Sequence, residues 1–192
     1  MNNNADTSNA DIKSTKSIVL IGFRGSGKST VGRLLAEQLG RTFVDTDVMI
    51  TNAAGMTIKD IFERGGEPLF RKLEAEAVKQ ATGIATAIIS AGGGAVLSAE
   101  NAERLKACGL VIWLDAPAEV LWERIQADTA SRTSRPNLTA AGGLSEVNAL
   151  LGRRRDIYAS VADLVIPADG SPETVATHIL NLIEKRQNHR PE

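Results

Sequence analysis

Short unbroken apolar runs alternate along this chain with longer stretches in which apolar residues recur every three or four positions. The runs have strand length, and the recurrence is that of one helix face. Ile18-Val19-Leu20-Ile21 marks a strand over about 17–22, and Leu110-Val111-Ile112-Trp113-Leu114 marks another over 110–114. The second is uninterrupted, like strands buried on both faces of a parallel sheet. Further strands are predicted over 42–44, 85–89 and 163–166. Val31, Leu34, Leu35 and Leu39 give a helix that starts near Lys28 and ends before Gly40. The pattern predicts others over 48–52, 57–62, 67–81, 98–107 and 144–159, one from Pro117 onward, and a last one to about Arg186. Arg64-Gly65-Gly66 is expected to stop one helix, with Pro68 in the permitted first turn of the next. Residues 1–16 are polar and without periodicity, which predicts a disordered tail; 187–192 read as a polar C-terminal tail.

Between the first strand and the first helix lies Gly22-Phe23-Arg24-Gly25-Ser26-Gly27-Lys28-Ser29-Thr30. This matches the phosphate-binding loop G-x-x-x-x-G-K-[ST]. Glycines let backbone N–H groups turn inward around phosphate oxygens, and the helix N-terminus adds partial positive charge. Lys28 would reach the β- and γ-phosphates, and the Ser29 hydroxyl would take Mg²⁺.

Other constellations leave two readings open. Asp45-Thr46-Asp47 ends the second strand. In an extended chain residues i and i+2 point the same way, so both carboxylates would face one pocket; the alternative is a solvated turn with a capping aspartate. Arg71 and Glu74 are three apart on a helix: a surface ion pair, or an arginine fork held in place to grip a carboxylate. Gly92-Gly93-Gly94 follows the third strand, where a ligand could approach the backbone closely or a turn could simply flex. The polar stretch from Asp128 to Gly143 carries Arg132 and Arg135 and is too long for an ordinary connection. It reads as a mobile lid or as a disordered loop. Arg153-Arg154-Arg155 reads first as a solvated helix face.

Composition narrows the class. The 192 residues suit one domain over 17–186, 43% of residues are hydrophobic, and 22 basic against 23 acidic residues leave a net charge of −1. Nothing in that balance asks for nucleic acid or an acidic membrane surface. The single cysteine, Cys108, excludes an intrachain disulfide. No apolar run approaches the roughly 18 residues of a membrane span, and the N-terminus has no apolar signal core, so the cytoplasm is expected.

In order and spacing, these marks resemble the shikimate kinase family over about residues 17–186. The residues that carry the resemblance are Gly25-Ser26-Gly27-Lys28-Ser29-Thr30, Asp45-Thr46-Asp47, Phe70-Arg71 with Glu74, Gly92-Gly93-Gly94, Arg135-Pro136, and Arg154 four before Tyr158. The resemblance implies an α/β fold: a three-layer P-loop kinase with a five-stranded parallel sheet, order 2-3-1-4-5, flanked by helices and closed by a mobile lid over about 128–143. It implies transfer of the ATP γ-phosphoryl group to the 3-hydroxyl of shikimate, in aromatic amino-acid biosynthesis, with one Mg²⁺ per site. By the same resemblance, Gly25 to Thr30 bind ATP with Arg124, Arg135 and the segment around Gly170. Ser29 binds the metal, and Asp45 binds it through water. Asp47 contacts substrate hydroxyls and is the candidate base. Arg71 and Arg154 bind the shikimate carboxylate beside Gly92, Gly93 and Gly94. Lys28, Asp47 and Arg135 are the expected catalytic set, and a monomer with no partner beyond shikimate and ATP is expected.

The chain departs from the family pattern at Asn137, Asp156 and Gly170, near the lid and adenine positions. The competing enzyme is another small P-loop kinase, for gluconate or a nucleoside monophosphate. The competing class is a non-catalytic nucleotide-binding module. Arg71, Arg154, Asp47 and the triple glycine argue against the first; intact Lys28, Ser29, Asp47 and Arg135 argue against the second. Arg153 and Arg155, as flanks of Arg154, are expected to tolerate replacement.

Overall fold

A computed structural model describes residues 16–128 and 143–188. Five strands, β1 (Ser17–Ile21), β2 (Phe43–Asp45), β3 (Ile88–Ser90), β4 (Gly109–Asp115) and β5 (Leu164–Pro167), form one sheet in the order β2-β3-β1-β4-β5. Every pairing is parallel. The helices are α1 (Lys28–Leu39), α2 (Thr46–Ala54), α3 (Ile58–Thr82), α4 (Ala99–Cys108), α5 (Ala118–Ala127), α6 (Gly143–Val161) and α7 (Pro172–Asn188). The fold is the three-layer arrangement that the family resemblance implies.

The apolar runs work as expected for a sheet covered on both sides. All five residues of β1 are buried. Ile18 and Leu20 enter one core with Val31 and Leu35 of α1 and Ile179 of α7. Val19 and Ile21 enter the opposite core with Val78 of α3, Leu105 of α4 and Tyr158 of α6. A strand between two apolar layers has no polar face, hence no alternation in its sequence.

Several boundaries differ from the sequence expectation. The third strand begins at Ile88, not at 85: Thr86 has φ 54°, and the Ala87 N–H donates to the Ser17 side chain at 3.1 Å. It runs on to Ser90, which pairs with Asp45 on one side and Leu20 on the other. The helices expected over 57–62 and 67–81 run together as α3, broken by the non-helical Gly66 at φ 63° and ψ −165°. The α7 helix continues through Asn188, so residues 187 and 188 are helical rather than tail. Residues 1–15, 189–192 and the lid positions 129–142, with Arg132 and Arg135, lie outside the described residues.

The register brings the C-terminal ends of β2, β3 and β1 level beside the loop that leads into α1. In open α/β sheets this edge is where ligands bind.

Candidate active site

The loop between β1 and α1 is shaped by its glycines. Gly25 has φ 84°, and a Cβ there would lie 2.8 Å from the Leu121 carbonyl oxygen. No other residue type meets both demands. Lys28 opens α1 and folds back over the loop. Its Nζ donates to the Gly22 and Phe23 carbonyls, both at 2.9 Å, and reaches Ser26 Oγ at 3.5 Å. The ammonium is therefore held against the loop by two of its carbonyls.

The next residue links the loop to the second strand. Ser29 Oγ donates to Asp45 Oδ2 at 2.6 Å and lies 3.4 Å from Ser90 Oγ. Asp45 Oδ1 caps α2, accepting from the Asp47 and Val48 N–H groups at 3.0 and 3.4 Å. This corrects the argument from an extended chain. Asp45 ends a strand while Asp47 lies in the first turn of a helix, so alternation does not relate them. The cap brings them together instead. A serine hydroxyl and a carboxylate, with a second hydroxyl at Ser90, form an oxygen donor set that suits Mg²⁺. Among the described residues no three His, Cys, Asp or Glu side chains cluster as a full protein cage; Mg²⁺ at phosphates needs only one or two protein ligands.

A cavity of about 340 Å³ opens over this loop. Its wall includes Gly25 to Val31, Asp47, Ser90, Arg124 and Gly170. Arg124 donates to the carbonyls of Ala168 at 2.6 Å, Asp169 at 3.2 Å and Gly170 at 3.0 Å. Its Nη groups thus hold the loop after β5, and what it can present to an adenine is its flat face.

Asp47 is the hinge between this cavity and a second group of residues. A Cβ on Gly92 would lie 2.7 Å from Asp47 Oδ1, and one on Gly94 would lie 2.7 Å from Arg71 Nη1. The triple glycine is therefore a close-approach turn rather than a merely flexible one. Thr46, buried between the two aspartates, fixes it by accepting from the Gly92 N–H at 2.9 Å. The Gly93 carbonyl accepts from the Tyr158 hydroxyl at 2.5 Å and from Arg154 Nη1 at 3.5 Å. Burial pushes the Tyr158 hydroxyl up in pKa, against the pull of Arg154, so it stays a proton donor at neutral pH. Arg71, Gly93, Gly94 and Arg154 do not line this cavity; they lie beside Asp47, which does.

Arg71 decides between its two readings. Its Nη1 donates to Glu74 at 2.7 Å, while Nε and Nη2 donate to Glu67 at 3.1 and 2.9 Å. Glu74 is 1% exposed. Burial alone would lower the Arg71 pKa, but the hydrogen bonds and charges of Glu74 and Glu67 outweigh it and raise it. Burial likewise raises the Glu74 carboxyl, with Arg71 pulling the other way. A guanidinium fixed by two carboxylates beside a glycine turn is a built feature, not a solvated pair.

Sequence reasoning missed Thr46 as the anchor of the glycine turn and took Tyr158 only as a spacing marker. It also missed Phe23, whose ring lies 5.4 Å from the Arg154 guanidinium carbon. Thr46 stands between two singled-out aspartates and was the one detectable signal. Phe23 carries none, because it meets Arg154 only through the fold.

A shikimate kinase family model matches residues 24–184. A shikimate kinase from Symbiobacterium thermophilum is 45% identical over 170 residues, covering 88% of this chain and 97% of that one. The structure of a shikimate kinase from Acinetobacter baumannii in complex with shikimate superposes with a TM-score of 0.86 at 36% identity, covering 93% of this chain and 98% of that one. A gluconokinase from Sinorhizobium meliloti gives a TM-score of 0.55 at 15% identity, covering 91% and 94%. That likeness extends to the fold alone.

Proposed function

This chain belongs to the shikimate kinase family, and from that premise we infer that it transfers the γ-phosphoryl group of ATP to the 3-hydroxyl of shikimate, giving shikimate 3-phosphate and ADP. The observation that carries this is the position of Asp47. It lines the cavity over the phosphate-type loop and also packs against Gly92 of the glycine turn that Arg71 and Arg154 flank. One carboxylate thus stands between a phosphate cradle and two arginines.

Each role follows from the chemistry. Shikimate carries one carboxylate and three hydroxyls on a small ring. Arg71 and Arg154 grip the carboxylate, and the turn at Gly92 to Gly94 keeps the backbone clear of the ring. Asp47 accepts the hydrogen bond of the 3-hydroxyl, orients its oxygen and takes the proton as the bond to phosphorus forms. The transferring phosphoryl group asks chiefly for positioning and charge neutralisation. Loop N–H groups and the Lys28 ammonium supply the neutralisation on the protein side. Ser29 and Asp45, the latter through water, are the residues to hold Mg²⁺, which would neutralise phosphate charge further. Arg124 and the loop at Gly170 receive the adenine; Arg135, outside the described residues, is assigned to the phosphates. We assign the chain to the cytoplasm and to a monomeric state; among the described residues no helix is long and apolar enough to cross a membrane.

A coupled ADP-release assay with shikimate, gluconate and nucleoside monophosphates tests the assignment. Shikimate-dependent and Mg²⁺-dependent release is expected. Release with gluconate or a nucleotide, but not shikimate, would overturn it.

A further inference from the structure

The three consecutive arginines of α6 are not equivalent. Arg154 faces Gly93, whereas the Arg155 guanidinium pairs with the carboxylate of Asp115, the last residue of β4. Arg155 also lies over the Trp113 ring, 5.7 Å from its centre. Asp115 is 18% exposed, and its Oδ1 is buried with no hydrogen-bond partner among the described residues. Arg155 thus has a partner on β4 that the run of three arginines did not reveal.

We propose that Asp115 and Arg155 are positioning residues, whose ion pair fixes the rotation of α6 and so holds Arg154 against Gly93 for the substrate carboxylate. The proposal rests on the function inferred above. Successive residues of a helix are about 100° apart around its axis. Tyr158, one turn beyond Arg154, ties one line of the helix to Gly93 at 2.5 Å. Leu151, Tyr158 and Val161 pack the helix into the core, which limits its roll, and a polar tie on the adjoining line limits what remains. Arg155 ties the adjoining line to the end of β4. Arg154 itself reaches Gly93 only at 3.5 Å, the weak limit of a hydrogen bond, so its direction depends on how the helix is held. The side chain of Arg155 is 52% exposed, and exposed ion pairs add about 0–1 kcal/mol to stability. Substrate affinity is more sensitive, because a bidentate grip on a carboxylate depends on arginine orientation.

The main chain of Asp115 has a separate task. Its carbonyl accepts from the Ala168 N–H at 2.7 Å, at the start of the loop that Arg124 holds. Changing only the side chain leaves that bond in place, so the nucleotide side serves as an internal control.

Arg155→Ala, Arg155→Lys, Asp115→Asn and the double variant Asp115→Asn/Arg155→Ala decide this. Steady-state ADP release gives KM and kcat with each substrate varied in turn, and urea unfolding gives the midpoint. Arg155→Ala and Asp115→Asn should raise the shikimate KM about 3- to 10-fold, with kcat and the ATP KM within about twofold. The double variant should be no worse than either single one, and Arg155→Lys should recover most of the loss. An unchanged shikimate KM in Arg155→Ala, or an equal rise in both KM values, would overturn the proposal. Wild-type protein that releases no ADP with shikimate would instead overturn the inferred function, and the premise with it.

Discussion

Arg71 and Glu74, one helical turn apart, form a 2.7 Å ion pair between a guanidinium at the glycine turn and a carboxylate of which 1% is exposed. Removing Arg71 would leave the Glu74 carboxylate desolvated, which costs more than the pair adds, whereas removing Glu74 leaves a 32% exposed guanidinium that keeps Glu67. Burial raises the Glu74 carboxyl above its ordinary 4.5, with Arg71 opposing. Between 4.5 and that raised value the folded protein binds more protons than the unfolded chain. Stability from this group is therefore full below 4.5 and declines as pH rises through the folded value. Glu74→Gln, which cannot titrate, should gain stability relative to wild type as pH rises from about 4.5 toward neutrality. Urea midpoints across that range check it; a relative loss would mean that Arg71, not burial, sets the Glu74 pKa.

Lys28→Ala should fold normally and lose at least about 100-fold in kcat, the order expected when one charge-stabilising group is removed. Nζ bonds to the Gly22 and Phe23 carbonyls of its own loop, so stability is measured beside turnover. Turnover and thermal unfolding measured together check it. Near wild-type kcat in a folded variant would remove Lys28 from the mechanism.

Arg71→Lys and Arg154→Lys should each weaken shikimate binding about 10- to 100-fold, since a charged hydrogen bond contributes roughly 1.5–3 kcal/mol. ATP affinity should hold, because neither residue lines the cavity over the phosphate-type loop. Arg153→Lys, on an exposed part of α6, should leave both unchanged. Calorimetric titration with each substrate separates these outcomes. An effect of Arg153 comparable to that of Arg154 would mean that the wrong arginine has been matched to the carboxylate.

Two glycines should respond differently. A Cβ at Gly94 meets the tip of a flexible side chain, Arg71 Nη1 at 2.7 Å, whereas one at Gly22, where φ is 142°, meets the Leu114 backbone oxygen at 2.6 Å. Gly94→Ala should therefore raise the shikimate KM about tenfold or more, as the arginine is pushed aside, with a smaller loss of unfolding midpoint than Gly22→Ala. Gly22→Ala should lose stability first, by about 1–3 kcal/mol, because strained backbone must move. Parallel denaturation and kinetic measurements distinguish the two. A Gly94→Ala enzyme with unaltered KM would show that Arg71 has room to move without consequence.

The sequence by itself determined what local chemistry can determine. Unbroken apolar runs such as Leu110 to Leu114 specified strands buried on both sides, because a covered sheet has no polar face. Gly25, Gly27 and Lys28 specified a phosphate-type loop, because that shape is made within nine consecutive residues. The motif set from Asp45 to Tyr158 specified the family. Only the tertiary structure decided contacts between distant residues. The relation of Asp45 to Asp47 turned on which one caps α2, and the boundary of β3 turned on a turn anchored to Ser17. The difference between Arg153, Arg154 and Arg155 was invisible in a run of three like charges. It arises from helix rotation, which points one arginine at Gly93 and the next at Asp115, and rotation is set by packing against β4 and the glycine turn rather than by any property of the residues themselves.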